Sequence, residues 1–259
     1  MYYEVHGKGE PLLLIAGRGA NLTAWQFQIP EFSKKYRVVA FDNRGSGRTD
    51  APDKPYSIGM MADDAIGLMD TLGIGEAHIL GHSMGGYIAQ TIAIEFPKRT
   101  RSLILAGSAA ASRNVPAVTK HINQTVVAAM RDGATPKTIA MMQLPTLVTS
   151  RLFETPEIVA VWVDALAANP WRPQAYALQH QGDACAGFDS LGQLKRIAAP
   201  TLVLVGKEDN IMPVKLSEEL AKLIPEAKLV VLDGGAHFFF AEIADKFNQS
   251  VLEFLAQIA

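Results

Sequence analysis

The sequence predicts an α/β fold built on a mainly parallel sheet with helices on both faces, and three observations predict it. Short apolar runs of strand length recur along the chain, helical patterns lie between several of them, and a glycine-framed serine stands at one strand-to-helix junction. Continuous rather than alternating hydrophobicity is what a parallel strand covered on both sides requires. Alternation of such strands with helices is the mark of an α/β sheet.

Taken in order, the strand-like runs are residues 12–16, 38–41, 77–80, 103–106, 201–205 and 228–232, each read as buried on both faces. The helical patterns are 58–72 after a Ser57 cap, 85–96, 214–224 after Pro213, and 242–255. The alternation breaks once, between about 109 and 197, where only helical signals occur: 115–131, 136–150, 156–168 and 173–184, punctuated by prolines. The expected organisation is a core of residues 1–108 and 197–259 and a helical lid over 109–196. So long an excursion must pack somewhere, and the carboxyl ends of the strands, where such sheets bind ligands, are the economical place.

Composition excludes several function classes. The 259 residues are 49% hydrophobic and 19% charged, enough to bury a sizeable core and far from the composition of disorder. A net charge of −2, with no stripe of Lys and Arg interleaved with aromatics, removes most of the case for a nucleic-acid partner. No apolar run approaches the roughly 20 residues that cross a bilayer, so no membrane association is expected. Met1-Tyr2-Tyr3-Glu4 has neither the basic nor the apolar part of a secretory leader, which makes the cytoplasm the expected compartment. A single cysteine, Cys185, allows no internal disulfide and no Cys/His zinc cluster, and Cys185 reads as a small buried hydrophobe. The partner implied is a small-molecule substrate, and the oligomeric state is left open by the sequence.

The chemistry is concentrated at Gly81-His82-Ser83-Met84-Gly85-Gly86, which reads G-x-S-x-G between the 77–80 strand and the 85–96 helix. A serine on so sharp a turn needs clearance that Gly81 and Gly85 supply. A serine hydroxyl needs a base to take its proton, and the base needs an orienting carboxylate. Asp209 follows the 201–205 strand and His237 follows the 228–232 strand, so both belong to the same sheet edge as Ser83. Ser83 is assigned as nucleophile, His237 as general base and then acid, and Asp209 as its orienter, in the chain order Ser, Asp, His. Glu208 is the alternative orienter. Asp233 suits a local turn contact, and His82 a structural role with its ring turned away from Ser83. The developing oxyanion needs amide donors. The N–H of Met84, at the start of a helix, is one candidate. The N–H of Arg18, in the loop Gly17-Arg18-Gly19-Ala20, is the other.

With these residues in place the chain resembles the lid-bearing α/β-hydrolase superfamily, in the branch of bacterial 3-oxoadipate enol-lactonases, small carboxylesterases and cofactor-free haloperoxidase-like hydrolases. The resemblance rests on Phe41-Asp42-Asn43-Arg44-Gly45-Ser46-Gly47-Arg48-Thr49-Asp50, the Gly81–Gly86 elbow, Gly206-Lys207-Glu208-Asp209 and Gly235-Ala236-His237. It implies a Ser-His-Asp hydrolase of esters, lactones or related acyl compounds, with no metal and no organic cofactor, carried by Ser83, Asp209 and His237, and with the lid inserted after the sixth family strand. Two departures stand out. Ala16-Gly17 replaces the His-Gly of many relatives, and the chain opens at what resembles the second strand of the family. A serine at the elbow argues against dehalogenases and epoxide hydrolases, whose elbow residue is aspartate; carbon–carbon bond hydrolases, thioesterases and slow-turnover ligand sensors share the serine.

Substrate contacts are read from two places. Apolar residues of the helical segment, Trp162 and Met142 among them, read first as packing of the segment itself; as the roof of an apolar pocket these two are the candidate contacts. The Arg18 guanidinium could pair with a substrate carboxylate, or point to solvent, or pair with Asp164 or Asp183.

Overall fold

The computed structural model describes residues 1–258. Seven strands form one sheet in the order β1-β3-β2-β4-β5-β6-β7. They are β1 (Tyr3–His6), β2 (Glu10–Ile15), β3 (Tyr36–Phe41), β4 (Ala77–His82), β5 (Thr100–Ala106), β6 (Thr201–Gly206) and β7 (Lys228–Leu232). Only β1 runs antiparallel, pairing with β3 from Tyr3 opposite Phe41 to His6 opposite Val38. All other pairings are parallel.

The continuous apolar runs bury both faces, as a parallel sheet requires. Leu13, Ile15, Val39, Phe41, Ile79, Leu103, Leu105 and Val203 project to one face. Leu12, Leu14, Val38, Ala40, Leu80, Ile104, Leu202 and Leu204 project to the other. On the first face pack α2 (Ile58–Thr71), α3 (Met84–Glu95) and α8 (Val214–Leu223). On the second pack α1 (Ile29–Phe32), α9 (Phe239–Glu242) and α10 (Ala244–Leu255), with Trp25, Phe32, Phe239 and Phe247. Ser57 caps α2 through its hydroxyl, which accepts from the Met60 N–H at 3.1 Å.

Two expectations need correction. β7 is not buried on both faces: it is the edge of the sheet, bonded only to β6, and Val231 on it is exposed. The pattern read as one helix over 242–255 begins earlier and is broken, because Ile243 leaves the helical region (φ −130°) between α9 and α10.

Between β5 and β6 lie α4 (Ala117–Arg131), α5 (Pro136–Leu147), α6 (Pro156–Ala168) and α7 (Ala175–Ala186). The chain leaves and returns side by side. The Ser112 N–H donates to Phe188 O, the Ser190 N–H donates to Ala110 O, and Ala111 bridges Asp189. These helices carry small apolar clusters of their own: Ala140, Leu144, Val148 and Val163 in one, and Val126, Val127 and Leu178 in another. No helix among the described residues is long and apolar enough to cross a membrane.

Candidate active site

The turn after β4 is where the sequence forces unusual backbone. Ser83 has φ 54° and ψ −118°, one of two non-glycine residues with positive φ among those described. Such a conformation costs on the order of 1–3 kcal/mol and persists only where the surroundings impose it. The surroundings do: a Cβ on Gly81 would lie 2.2 Å from Gly85 O, and one on Gly85 would lie 2.1 Å from Ile15 O. Both glycines therefore let β2, β4 and α3 approach closely enough to form the turn. The Ser83 N–H donates to Ala106 O at 2.9 Å, and Ser83 O accepts from the Ser108 hydroxyl at 3.0 Å, so the carboxyl end of β5 clamps the residue at both its amide and its carbonyl.

His237 and Asp209 reach the same edge from the ends of β7 and β6. His237 Nδ1 lies 2.8 Å from Asp209 Oδ2, with both residues under 5% exposed. The other carboxylate oxygen accepts from the Ile211 and Met212 N–H groups at 2.9 and 2.7 Å. A carboxylate can only accept, so Nδ1 carries the proton and Nε2 of a neutral ring is left with its lone pair. Glu208 is exposed, and Asp233 pairs with Lys207 at 2.7 Å. Neither competes for the ring. Ser83 Oγ makes no side-chain hydrogen bond among the described residues; such bonds are commonly long in free enzymes and tighten on substrate.

The loop expected to supply one oxyanion donor passes the serine at Gly17. A Cβ on Gly17 would lie 3.2 Å from Ser83 Cβ, which puts Gly17 against the serine. The amides of Arg18 and Met84 donate to no acceptor among the described residues. The next amide, Gly19 N–H, is by contrast bonded to Gln181 Oε1 at 2.8 Å.

His82 does not turn away from the site. Its ring centroid lies 4.6 Å from that of His237, and its Nε2 lies 3.0 Å from His237 O. Since a carbonyl accepts, Nε2 carries the proton. Complete burial, with a smaller contribution from His237, holds His82 well below the usual histidine range and keeps it neutral. The one hydrogen bond of its ring among the described residues is thus to the backbone of His237 itself. Sequence reading also missed Gln181, a fully buried side chain on α7 that bridges Gly19 N–H, Arg44 O and Ser46 Oγ, because its partners lie more than a hundred residues away.

Trp162 packs beside the Ala140, Leu144, Val148 and Val163 cluster, and Met142 beside Val126, Val127 and Leu178. Both are half-buried within the α4–α7 segment. Burial pushes the Cys185 thiol up to about 12 although Arg18 is near, which leaves it protonated and a poor nucleophile. Among the described residues no cluster of three or more His, Cys, Asp or Glu side chains is arranged to hold a metal ion. A cavity of about 340 Å³ is lined by Tyr56, Thr91, Glu95, Asp183 and Phe188 and touches none of Ser83, Asp209 or His237.

A sheet of this strand order with a serine held at positive φ beyond its central strand is the architecture of the α/β hydrolases. Comparison with known proteins agrees: residues 10–243 match the family described as alpha/beta hydrolase fold, and the chain belongs to that family. It is a hydrolytic enzyme. It is 31% identical over 259 residues to the protein named "Putative carbamate hydrolase RutD" of Azorhizobium caulinodans, covering 100% of this chain and 96% of that one. It is 34% identical over 253 residues to 3-oxoadipate enol-lactonase 2 of Acinetobacter baylyi, covering 96% and 90%. The crystal structure of the enol-lactonase from Burkholderia xenovorans superimposes with a TM-score of 0.85 at 28% identity, covering 98% of this chain and 96% of that one.

Proposed function

We propose that the protein cleaves a small carboxylic ester or lactone through an acyl-enzyme formed on Ser83. The observation that carries the proposal is the buried 2.8 Å contact between His237 and Asp209 at the sheet edge where Ser83 is held. Ser83 Oγ attacks the substrate carbonyl carbon as His237 Nε2 takes the hydroxyl proton. The carbonyl oxygen becomes an oxyanion facing the Arg18 and Met84 amides, each such donor contributing about 3 kcal/mol to the transition state. Collapse breaks the bond to the leaving oxygen, which receives the proton from His237. Water, losing a proton to His237, then attacks the acyl carbon and releases the carboxylic acid and the Ser83 hydroxyl. Asp209 holds the ring in the required tautomer throughout. Residues 109–196 act as a lid whose inner apolar side chains select the substrate.

Affinity of the acyl chemistry for this site is supported by the resemblance to an enol-lactonase, and the test is direct. Purified protein should turn over p-nitrophenyl acetate, p-nitrophenyl butyrate or a simple lactone, and Ser83→Ala should lower turnover by about 10⁴-fold or more with its circular dichroism spectrum unchanged. A single burst without turnover would favour a ligand sensor. Hydrolysis surviving in Ser83→Ala would remove the serine mechanism.

A further inference from the structure

The loop that leaves β2 passes the serine at Gly17 and is held there from two directions. From the sheet side, Asn43 Nδ2 donates to Ala16 O at 3.0 Å, and Gly17 lies so close that an added Cβ would sit 3.2 Å from side-chain atoms of both Ser83 and His82. The chain then turns. The Ala20 N–H donates to Gly17 O at 3.2 Å, with Arg18 and Gly19 at the corner and Gly19 at φ 72°. A positive φ at the third residue marks a type II turn, and glycine adopts it without strain. The closing bond leaves the central peptide of the turn, which carries the Gly19 N–H, in need of a partner from outside.

That partner comes from the helical segment. Gln181, fully buried on α7, accepts from the Gly19 N–H through Oε1 at 2.8 Å and donates through Nε2 to Arg44 O at 2.8 Å and Ser46 Oγ at 2.9 Å. Its neighbours fix the orientation of the amide, since an N–H must face the oxygen and a carbonyl must face the nitrogen. The far end of this bracket is firmly set. Asp42, fully buried at the end of β3, accepts from the Leu22 N–H at 2.7 Å and from the Arg48 N–H at 2.8 Å, closing the loop that carries Arg44 and Ser46. Gln181 thus ties the turn beside the serine to the loop after β3. α7 is docked on the core by other contacts too: the Tyr176 hydroxyl donates to Ala51 O at 2.8 Å, and His180 Nε2 lies 2.8 Å from Asp53 Oδ1. The Arg18 side chain follows the same helix, with Nε donating to Leu178 O at 3.2 Å and the guanidinium against Gly182. It pairs with neither Asp164, which takes Lys137 at 2.9 Å, nor Asp183, which accepts from Gln179 at 2.7 Å.

We propose that Gln181 is a positioning residue for hydrolysis: by fixing the Gly19 N–H it sets the corner of the turn, and with it the direction of the Arg18 N–H one peptide earlier. The proposal rests on the reading of Ser83 as nucleophile and of the Arg18 amide as an oxyanion donor. Gln181 is wholly buried and has no surface to offer a substrate, so its loss acts on the chemical step and not on binding. Losing one oxyanion donor lowers kcat by roughly 100- to 1000-fold, and misaiming one forfeits a share of that.

The test compares p-nitrophenyl butyrate with its thionoester, in which sulfur replaces the carbonyl oxygen. Sulfur is the weaker acceptor and stands further from carbon, so well-aimed amides favour the oxygen ester, and the ratio of the two kcat/KM values reports their aim. Gln181→Met keeps the volume without the hydrogen bonds. Gln181→Asn keeps an amide too short to span from Gly19 to Arg44, and serves if Gln181→Met does not fold. Tyr176→Phe cuts a different bond between α7 and the core and is the control for a loosened helix. Each is assayed well below its melting temperature, with circular dichroism checking the fold. In both Gln181 variants kcat for the oxygen ester should fall by about 10- to 100-fold with KM within about twofold of the wild type, and the oxygen-to-sulfur ratio should fall by about 10-fold. Tyr176→Phe should leave kcat and the ratio unchanged. A wild-type ratio in the Gln181 variants overturns the proposal whatever their overall rates, because a merely loosened protein loses both esters together. An equal fall of the ratio in Tyr176→Phe also overturns it, in favour of α7 docking as a whole. Ser83→Ala separates this proposal from the function proposed above. If it abolishes hydrolysis while the ratio stays put in the Gln181 variants, only the role of Gln181 fails; if hydrolysis survives in Ser83→Ala, the function fails and the role of Gln181 falls with it.

Discussion

Replacing His82 by glutamine should change how the protein responds to acid more than how it folds at neutral pH. His82 is buried against His237, Phe240 and Trp25 and donates to His237 O from Nε2. Its protonated form is therefore disfavoured in the folded state, where its pKa lies well below that of the unfolded chain. Below the unfolded value of about 6.5 the unfolded chain binds the proton that the folded protein refuses, and stability is lost as pH falls from there toward the folded pKa. With the folded value far below, the loss at about pH 5.5 relative to neutral pH is RT ln(1 + 10), or about 1.4 kcal/mol. Glutamine offers a donor to the same carbonyl but does not titrate. His78, also depressed chiefly by burial, contributes in both proteins and cancels in the comparison. Urea unfolding at about pH 7.5 and 5.5 measures the effect, provided the denaturant slope is shared. The wild type should lose about 1.4 kcal/mol more than His82→Gln across that interval. Equal losses would refute the argument that burial keeps His82 neutral.

Other perturbations have equally definite outcomes. Asp209→Asn presents an amide where His237 Nδ1 now meets Oδ2, favouring the wrong tautomer, so kcat should fall by roughly 10⁴ while Glu208→Gln leaves it near the wild-type value; a larger loss from the Glu208 variant would move the orienter by one residue. Gln181→Ala leaves Gly19 N–H, Arg44 O and Ser46 Oγ without their shared partner in a buried setting, and should lower stability by about 2–4 kcal/mol in chemical denaturation; a loss under 1 kcal/mol would mean that water replaces the amide.

What could be read in the sequence was local, and what could not was the way distant segments meet. The 77–80 run, Gly81, Ser83 and Gly85 carry their meaning within a dozen residues, and the strand, the turn and the helix are all found there. Asp209 and His237 were legible because each follows a strand and all parallel strands of a sheet end at one edge. The same logic overreached at β7, since an apolar run does not say whether a second strand will flank it. His82 and Gln181 were opaque for another reason. A histidine or glutamine in a helix or strand acquires its role only from the carbonyls and amides brought to it, and those come from 155 residues away for His82 and from 162 for Gly19.

The His237 loop is held from two sides, and the two sides belong to different parts of the chain. From the sheet, Asp209 fixes the ring and His82 fixes the backbone carbonyl. From the helical segment, the Phe238 N–H donates to Leu147 O at 2.7 Å at the end of α5. Glu242 adds a second tie, accepting from Thr149 N–H and its hydroxyl through one oxygen and from Ala236 N–H through the other. Any displacement of the α5 end must therefore break the bond to Phe238 or pull on the loop that carries His237. The buried, charge-assisted contact to Asp209 is a stronger anchor than the neutral Phe238–Leu147 bond, since such bonds are roughly twice as strong as those between neutral groups. Any movement of these helices is thus expected to part at Leu147 first, leaving the imidazole in place beside Asp209.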